Sequence, residues 1–347
     1  VLERLTQQLA AAQSLTAGQI SQSVEYLTDE TVAPPTKADF LAALAVKGET
    51  PDEIAAFATA LREKSIQPPI ESAWRAAREI LDIVGTGGDR LGTFNISTTS
   101  AIVCSAAGVA VAKHGNRAVT SQAGSADVLE ALGIRVDLTP EAAARSLRER
   151  NFAFFFAPNF HPAFKSIGPA RKLCAERGQR TIFNYLGPLL NPARPSAMLV
   201  GVPRTGLCEP LAQVLQSLGV RRAMVVCGAV PPAFFLDELS TLGNNTIAEF
   251  YQERGFNASV LTLEHLPLQP ARLEDLAGGD KFQNAEITRR ILRGDEQGPK
   301  RDAVLLNAGA ALFIAGKARS LAEGWDLAGE TIDGGRAWGK LGELAGA

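Results

Sequence analysis

The chain has 347 residues, 46% hydrophobic and 21% charged, with 35 Lys and Arg against 37 Asp and Glu for a net charge of -2. This composition supports at least one large buried core and excludes the disordered, collagen-like and disulfide-framework classes. The balanced charge argues against a protein that lives on phosphate backbones in bulk, so any bound anion must be met by a local site.

The beginning reads as helices. Leu2, Leu5 and Leu9 recur at helical spacing, and a second run opens at Thr36-Lys37-Ala38-Asp39 with Phe40, Leu41 and Leu44 inward. In Thr50-Pro51-Asp52-Glu53 a threonine stands at the N-cap, proline at the first helical position and glutamate at the third, ahead of Ile54, Phe57 and Leu61. Residues 1–78 are therefore expected to form an all-helical domain, with the stretch 65–71, which contains Pro68-Pro69, as a connector. Val1 to Leu5 lack a basic start followed by an apolar block, so no secretory signal is expected there. The apolar stretches 101–112 and 152–158 fall short of the roughly 18 residues a membrane span needs. Cys104, Cys174, Cys208 and Cys227 are widely spaced, which predicts buried thiols, no zinc cage and a cytoplasmic setting.

From about residue 80 short apolar runs alternate with helical patterns, the signature of parallel βα units. Strands are expected at 81–84, 109–113, 152–157, 197–202 and 223–227, with helices at 97–107, 126–132, 140–150 and 168–177. Further helices are expected at 285–292 and 302–315 in a mixed tail that begins at Gly255. The fold class is thus α/β: a small helical N-terminal domain and a larger domain, 79–347, with a mainly parallel central sheet.

The chemistry concentrates after the first strand. Gly85-Thr86-Gly87-Gly88-Asp89 is followed by Thr93-Phe94-Asn95-Ile96-Ser97-Thr98 at the mouth of a helix rich in small residues. Glycines let the main chain approach an anion with its N–H groups turned inward, and the helix start adds its positive end and hydroxyls. The composition suits a diphosphate cradle; a plain tight turn would account for the glycines but not for their polar company. The next strand ends in Lys113-His114-Gly115-Asn116-Arg117, with Thr120, Ser121, Gly124 and Ser125 beyond. Ligands of open α/β sheets bind outside the carboxyl ends of the strands, so the two segments should face one another across a crevice, with Lys113 and Asp89 in loops at the sheet edge. Lys113 and Arg117 as ordinary surface cations is the alternative reading.

These segments resemble the anthranilate phosphoribosyltransferase family. The resemblance runs through Gly124-Ser125-Ala126-Asp127-Val128-Leu129-Glu130, Ala157-Pro158-Asn159-Phe160-His161-Pro162-Ala163 and Arg180-Thr181-Ile182-Phe183-Asn184-Tyr185-Leu186-Gly187-Pro188-Leu189-Leu190-Asn191-Pro192, and is densest from about 80 to 202. It implies a helical domain, joined by a later segment at about 168–192 and hinged to the α/β domain, with the active site in the cleft between them, in a homodimer. It implies transfer of the phosphoribosyl group of 5-phosphoribosyl diphosphate (PRPP) to the amine of anthranilate, in tryptophan biosynthesis. By the match, Gly85, Gly88, Asp89, Thr93, Asn95, Ile96, Ser97, Thr98, Lys113 and Ser125 would contact PRPP, and Gly85, Asn116, His114, His161 and Arg171 would face anthranilate. Magnesium (Mg2+) is the implied cofactor, with Ser97, Asp237 and Glu238 as ligands. Arg171 suits a carboxylate partner because its planar fork binds one in two-pronged fashion. The histidines are read as positioning groups, and no obligatory general base is nominated, because an arylamine brings its own lone pair.

The pattern also departs from the family's. The stretch Cys227-Gly228-Ala229-Val230-Pro231-Pro232-Ala233-Phe234-Phe235 precedes Asp237-Glu238 where the family usually has a short His-Gly turn, which makes the register of the acidic pair open and Glu249 a substitute ligand. Gln122 stands where many relatives place a cation, and 174–179 resembles an insertion that lengthens the helix carrying Arg171. These features leave room for a paralogue with a different aromatic or pyrimidine acceptor. A non-catalytic paralogue that binds nucleic acid is disfavoured by the net charge of -2 and the intact loops, and no nucleic acid or membrane partner is expected.

Overall fold

The computed structural model describes residues 1–118, 122–252 and 255–346. Thr120 and Ser121 lie outside the described residues. Four helices open the chain: α1 (Leu2–Ala10), α2 (Ala17–Thr28), α3 (Pro34–Lys47) and α4 (Pro51–Glu63), followed by a short α5 (Ser72–Ala76). The expected cap of α4 is present, with Thr50 and Glu53 bonded reciprocally. Helix α3 starts two positions before Thr36 because Pro34 and Pro35 tolerate the first turn, where an N–H would have no partner.

The larger part alternates strand and helix: β1 (Ile80–Gly85), α6 (Ile96–Ala106), β2 (Ala110–Gly115), α7 (Ser125–Ala131), α8 (Pro140–Arg150) and β3 (Phe152–Phe156). Then come α9 (Ala157–Phe160), α10 (Gly168–Glu176), α11 (Phe183–Leu189), β4 (Ala197–Gly201), α12 (Cys208–Ser217) and β5 (Arg222–Val230). The chain ends with β6 (Phe234–Leu236), β7 (Asn245–Tyr251), β8 (Gly255–Leu261), α13 (Lys281–Arg293), α14 (Pro299–Ile314), α15 (Leu321–Asp333) and α16 (Arg336–Ala345).

The sheet runs β3-β2-β1-β4-β5-β7-β8, with β6 paired to β5. Strands β1 to β5 are mutually parallel, and β6, β7 and β8 join antiparallel. Chain order reverses at β1, which lies between β2 and β4, so the crevice for a ligand opens beyond its carboxyl end. Gly85 closes β1 opposite Gly201, the end of β4.

The antiparallel end goes beyond the strands expected from the sequence. Strand β8 is exposed along nearly its whole length, so it carries no burial alternation for a periodicity to reveal. Strand β5 continues to Val230 and turns back through β6, so the unusual stretch before Asp237 is a hairpin. Helix α10 ends at Glu176, and Gly178 turns the chain at φ 69°, so the extra residues prolong the loop more than the helix.

A continuous core joins the first helices to α10, α11, α12 and one face of β4 and β5. Polar ties reinforce it: buried Lys37 donates to Ser166 O at 3.0 Å, and Arg62 Nε to Leu189 O at 2.5 Å. The other face of the sheet packs on α6, α7 and the C-terminal helices. No helix among the described residues is long and apolar enough to cross a membrane.

Candidate active site

The glycine turn after β1 is held open from both sides. Thr86 N donates to Gly201 O at 2.9 Å, Gly87 and Gly88 take φ values of 76° and 90°, and Leu91 N donates to Asp89 Oδ1 at 3.3 Å. Those positive φ values are why glycine is required at the two central positions. Helix α6 begins where this loop ends, with Asn95 as its N-cap residue. Asn95 Nδ2 donates to Ala123 O at 3.3 Å, and its Oδ1 accepts from Asn284 Nδ2 at 2.9 Å, so the loops after β1 and β2 are tied together from α13. Thr93 forms an isolated bridge to Ala277. Ile96 is buried, which leaves only its backbone for a ligand. Thr98 is also buried, and its hydroxyl meets no partner among the described residues.

Asp237 and Glu238 reach this loop. Gly87 N donates to Asp237 Oδ2 at 2.6 Å, and Ser97 N donates to Glu238 Oε1 at 3.2 Å. The approach depends on missing side chains: a Cβ on Gly85 would stand 2.2 Å from Asp237 Oδ2, and one on Gly201 would stand 1.6 Å from Asp237 O. After the hairpin, the pair is thus set against the glycine loop and the start of α6. Glu249, considered as a substitute, lies elsewhere, on β7 opposite Met224 toward the Arg222 end of β5, where Arg222 and Asn257 face it.

The electrostatics mark the same place. Burial, then the neighbouring Asp89 and Glu238, pushes the Asp237 carboxyl well above its usual range. Burial raises Glu238 to about 7, although Lys113 opposes the shift. Carboxylates crowd here with too little positive charge to neutralise them. Among the described residues no three His, Cys, Asp or Glu side chains form a metal cage by themselves.

Lys113 lies within β2 and not in the edge loop expected for it. It is 2% exposed and donates to Ile83 O at 2.7 Å and to Ser97 Oγ at 3.4 Å, so it underlies the glycine loop. Arg117 is spoken for: it makes two bonds to Glu130, at 2.6 and 2.7 Å, and one to Asp127 at 3.1 Å. Asp127 also accepts from Ala118 N and Gly124 N, which holds the ends of the loop after β2 together. Ser125 opens α7 and donates to Asn116 O at 3.4 Å, while the Asn116 side chain is exposed and Gln122 likewise.

The second wall is aromatic. His114 and His161 pack edge to face with centroids 5.3 Å apart, His161 stacks on Phe164 at 5.1 Å, and Phe164 meets Phe183 at 5.6 Å. The Arg171 guanidinium lies 5.2 Å from the Phe183 centroid. His114 Nδ1 is 3.2 Å from Gly187 O, and both Nε2 atoms are buried without a partner among the described residues. Burial pushes His114 down to about 3 and His161 to about 4, so both imidazoles are neutral near pH 7. Phe164 and Phe183 escape the sequence reading as site residues; an aromatic in a helix carries no sign in sequence of which wall it will line.

Residues 3–65 match the helical bundle domain of the glycosyl transferase family and residues 77–338 its a/b domain, which makes the protein a glycosyl transferase in class. The chain is 44% identical over 338 residues to the anthranilate phosphoribosyltransferase of Petrotoga mobilis, covering 97% of this chain and 94% of that one. The chain belongs to the anthranilate phosphoribosyltransferase family. Its fold matches the crystal structure of the Thermus thermophilus member with a TM-score of 0.88 and 42% identity, over 99% of this chain and 98% of that one. It also matches the Saccharomyces cerevisiae member in complex with PRPP and Mg, with a TM-score of 0.87 and 26% identity, over 99% and 97% of the two chains.

Proposed function

We propose that the protein transfers the phosphoribosyl group of PRPP to the amine of anthranilate, giving N-(5-phospho-β-D-ribosyl)anthranilate and diphosphate. The observation that carries this reading is the convergence of Asp237 and Glu238 on the Gly87 and Ser97 amides in a chain whose relatives carry that name. The bond between nitrogen and the anomeric carbon forms as the bond from that carbon to the diphosphate oxygen breaks. Diphosphate leaves with the electron pair, and the nitrogen releases a proton to solvent.

The loop Gly85–Asp89, Asn95, the α6 start at Ile96 to Thr98 and Ser125 form the donor side. Backbone N–H groups and hydroxyls there stabilise charge that grows on the leaving diphosphate. The orphaned Thr98 hydroxyl fits such an acceptor-rich ligand. Lys113 supports the loop from beneath and offsets part of the carboxylate charge.

The donor set also fits magnesium. Asp89, Asp237, Glu238 and the Ser97 hydroxyl are hard oxygen ligands, and burial makes the ionised forms of Asp237 and Glu238 costly, a cost that a divalent cation would offset. Since the described residues offer no complete cage, the ion would share its coordination with phosphate oxygens, as Mg2+ usually does. When bound it supplies charge neutralisation of the leaving group.

On the acceptor side the packed rings of His114, His161, Phe164 and Phe183 would back an aromatic substrate, with Asn116 and Gly85 at its edge and the Arg171 guanidinium available to its carboxylate. Proximity and orientation then do most of the work, because the amine needs no deprotonation before attack. The same reading groups residues 1–78 and about 168–192 as one lobe and the remainder of 79–347 as the other, a division supported by the packing of α10 on α3. Anthranilate fluorescence should fall only when protein, PRPP and magnesium are all present. Loss of fluorescence without PRPP, or none with all components, would refute the assignment.

A further inference from the structure

Asp237-Glu238 belongs to a segment with no strand of its own, so its backbone groups need partners from elsewhere. Strand β6 ends at Leu236 and β7 begins at Asn245. Two asparagines supply the missing bonds. Asn307, on α14, accepts from Leu239 N at 3.0 Å and donates to Leu239 O at 2.9 Å. Asn245 accepts from Ser240 N at 2.7 Å and donates to Ser240 O at 3.0 Å. Both side chains are fully buried.

A carboxamide has one acceptor and one donor side, so each can serve both backbone groups of a single residue, as a neighbouring strand would. Two such grips in succession fix both residues that follow Glu238. The segment is also packed closely on β5, where Asn245 is paired with Gly228: a Cβ on Gly228 would stand 2.5 Å from Glu238 O and from Ser240 Cβ. The segment is thus held by two carboxamide clamps and by a close approach that only glycine at 228 allows. Asn307 adds a bond of 2.9 Å to Ala303 O in its own helix, which steadies the clamp itself.

We propose that Asn245 and Asn307 are positioning residues that set the register of Asp237 and Glu238 toward a divalent cation and diphosphate. The proposal rests on the carboxylate reading given above. Without the clamps the segment relaxes, and the pair loses its fixed approach to Gly87 and Ser97.

The test uses Mn2+ as a spectroscopic probe, with its binding in the presence of PRPP followed by electron paramagnetic resonance in the full chain. Asn245→Ala and Asn307→Ala should each weaken Mn2+ binding by about 10- to 100-fold, the usual effect of losing an outer support of a metal site. The KM for anthranilate should stay near the parent value. Parental Mn2+ affinity in a folded variant overturns the proposal, as does an equal loss toward anthranilate. Circular dichroism reports folding; if neither asparagine variant folds, Gly228→Ala, which crowds the same segment from below, decides by the same two readouts. Asp237→Asn separates the layers of the argument. If it leaves Mn2+ affinity unchanged, the carboxylate reading fails; if it abolishes binding while the asparagine variants bind normally, only the clamp fails.

Discussion

Asp237 accepts a hydrogen bond of 2.6 Å from the Gly87 amide, 150 positions earlier in the chain. The bond exists because Gly85 has no side chain: a Cβ there would stand 2.2 Å from the same carboxylate oxygen. Gly85→Ala should therefore displace Asp237 and lower kcat/KM for PRPP by about 10²-fold, the scale of an ångström-level misplacement in an active site. Steady-state kinetics with the two substrates varied separately will measure it, and parental PRPP kinetics would refute the link.

Asp89 and Lys113 should separate activity from stability. Asp89 lies in the loop after β1, whereas Lys113 is buried in β2 between Ile83 O and Ser97 Oγ. Asp89→Ala should lose most turnover and melt near the parent temperature. Lys113→Ala should lose turnover and also about 3 kcal/mol of stability, since it strips a buried charge from its partners. Urea denaturation of both variants gives the comparison; equal stabilities would contradict it.

Titration of the site gives opposite trends that one substitution can isolate. Glu238 titrates near 7 in the folded protein against a reference of 4.5, so the folded state holds a proton the unfolded chain has released, and stability falls as pH rises through that interval. His114 and His161 titrate near 3 and 4 against 6.5, so they contribute a rise in stability with pH that is complete by about 6.5. Glu238→Gln removes the falling branch. Without metal, it should melt above the parent at pH 7.5, with the gap closing toward pH 4.5. A gap that is constant with pH would show that Glu238 titrates normally.

The Arg171 side chain makes no hydrogen bond or ion pair among the described residues; its guanidinium faces the Phe183 ring. That arrangement leaves its charge available to a carboxylate. Arg171→Ala should raise the KM for anthranilate about tenfold, the equivalent of one charge-assisted bond of roughly 1.5 kcal/mol, and leave the KM for PRPP nearly unchanged. Arg171→Lys should recover only part of the loss, because an ammonium lacks the two-pronged fork. An equal rise for both substrates would count against this partner.

Much of the site is legible because it is local. The glycine turn, the helix start at Asn95 to Thr98 and the Lys113-His114 segment each declare themselves within a few residues, since turns, caps and strand ends are made by near neighbours. The sequence misplaces Lys113 in an edge loop, because nothing in Lys113-His114-Gly115 states how far the strand continues before the chain turns. The antiparallel edge strand β8 stays hidden for another reason: a strand with little burial has little pattern.

By itself, the sequence determined the βα alternation, the helical beginning, the glycine turn after the first strand and the family resemblance. Short-range steric and hydrogen-bonding rules act within single turns, and these features obey them. Only the tertiary structure decided that Asp237 and Glu238 return to that turn, that Asn245 and Asn307 grip the residues after them, and that Phe164 and Phe183 join the histidines. Those relations depend on where distant segments are brought together by sheet order and core packing, and no local spacing encodes that.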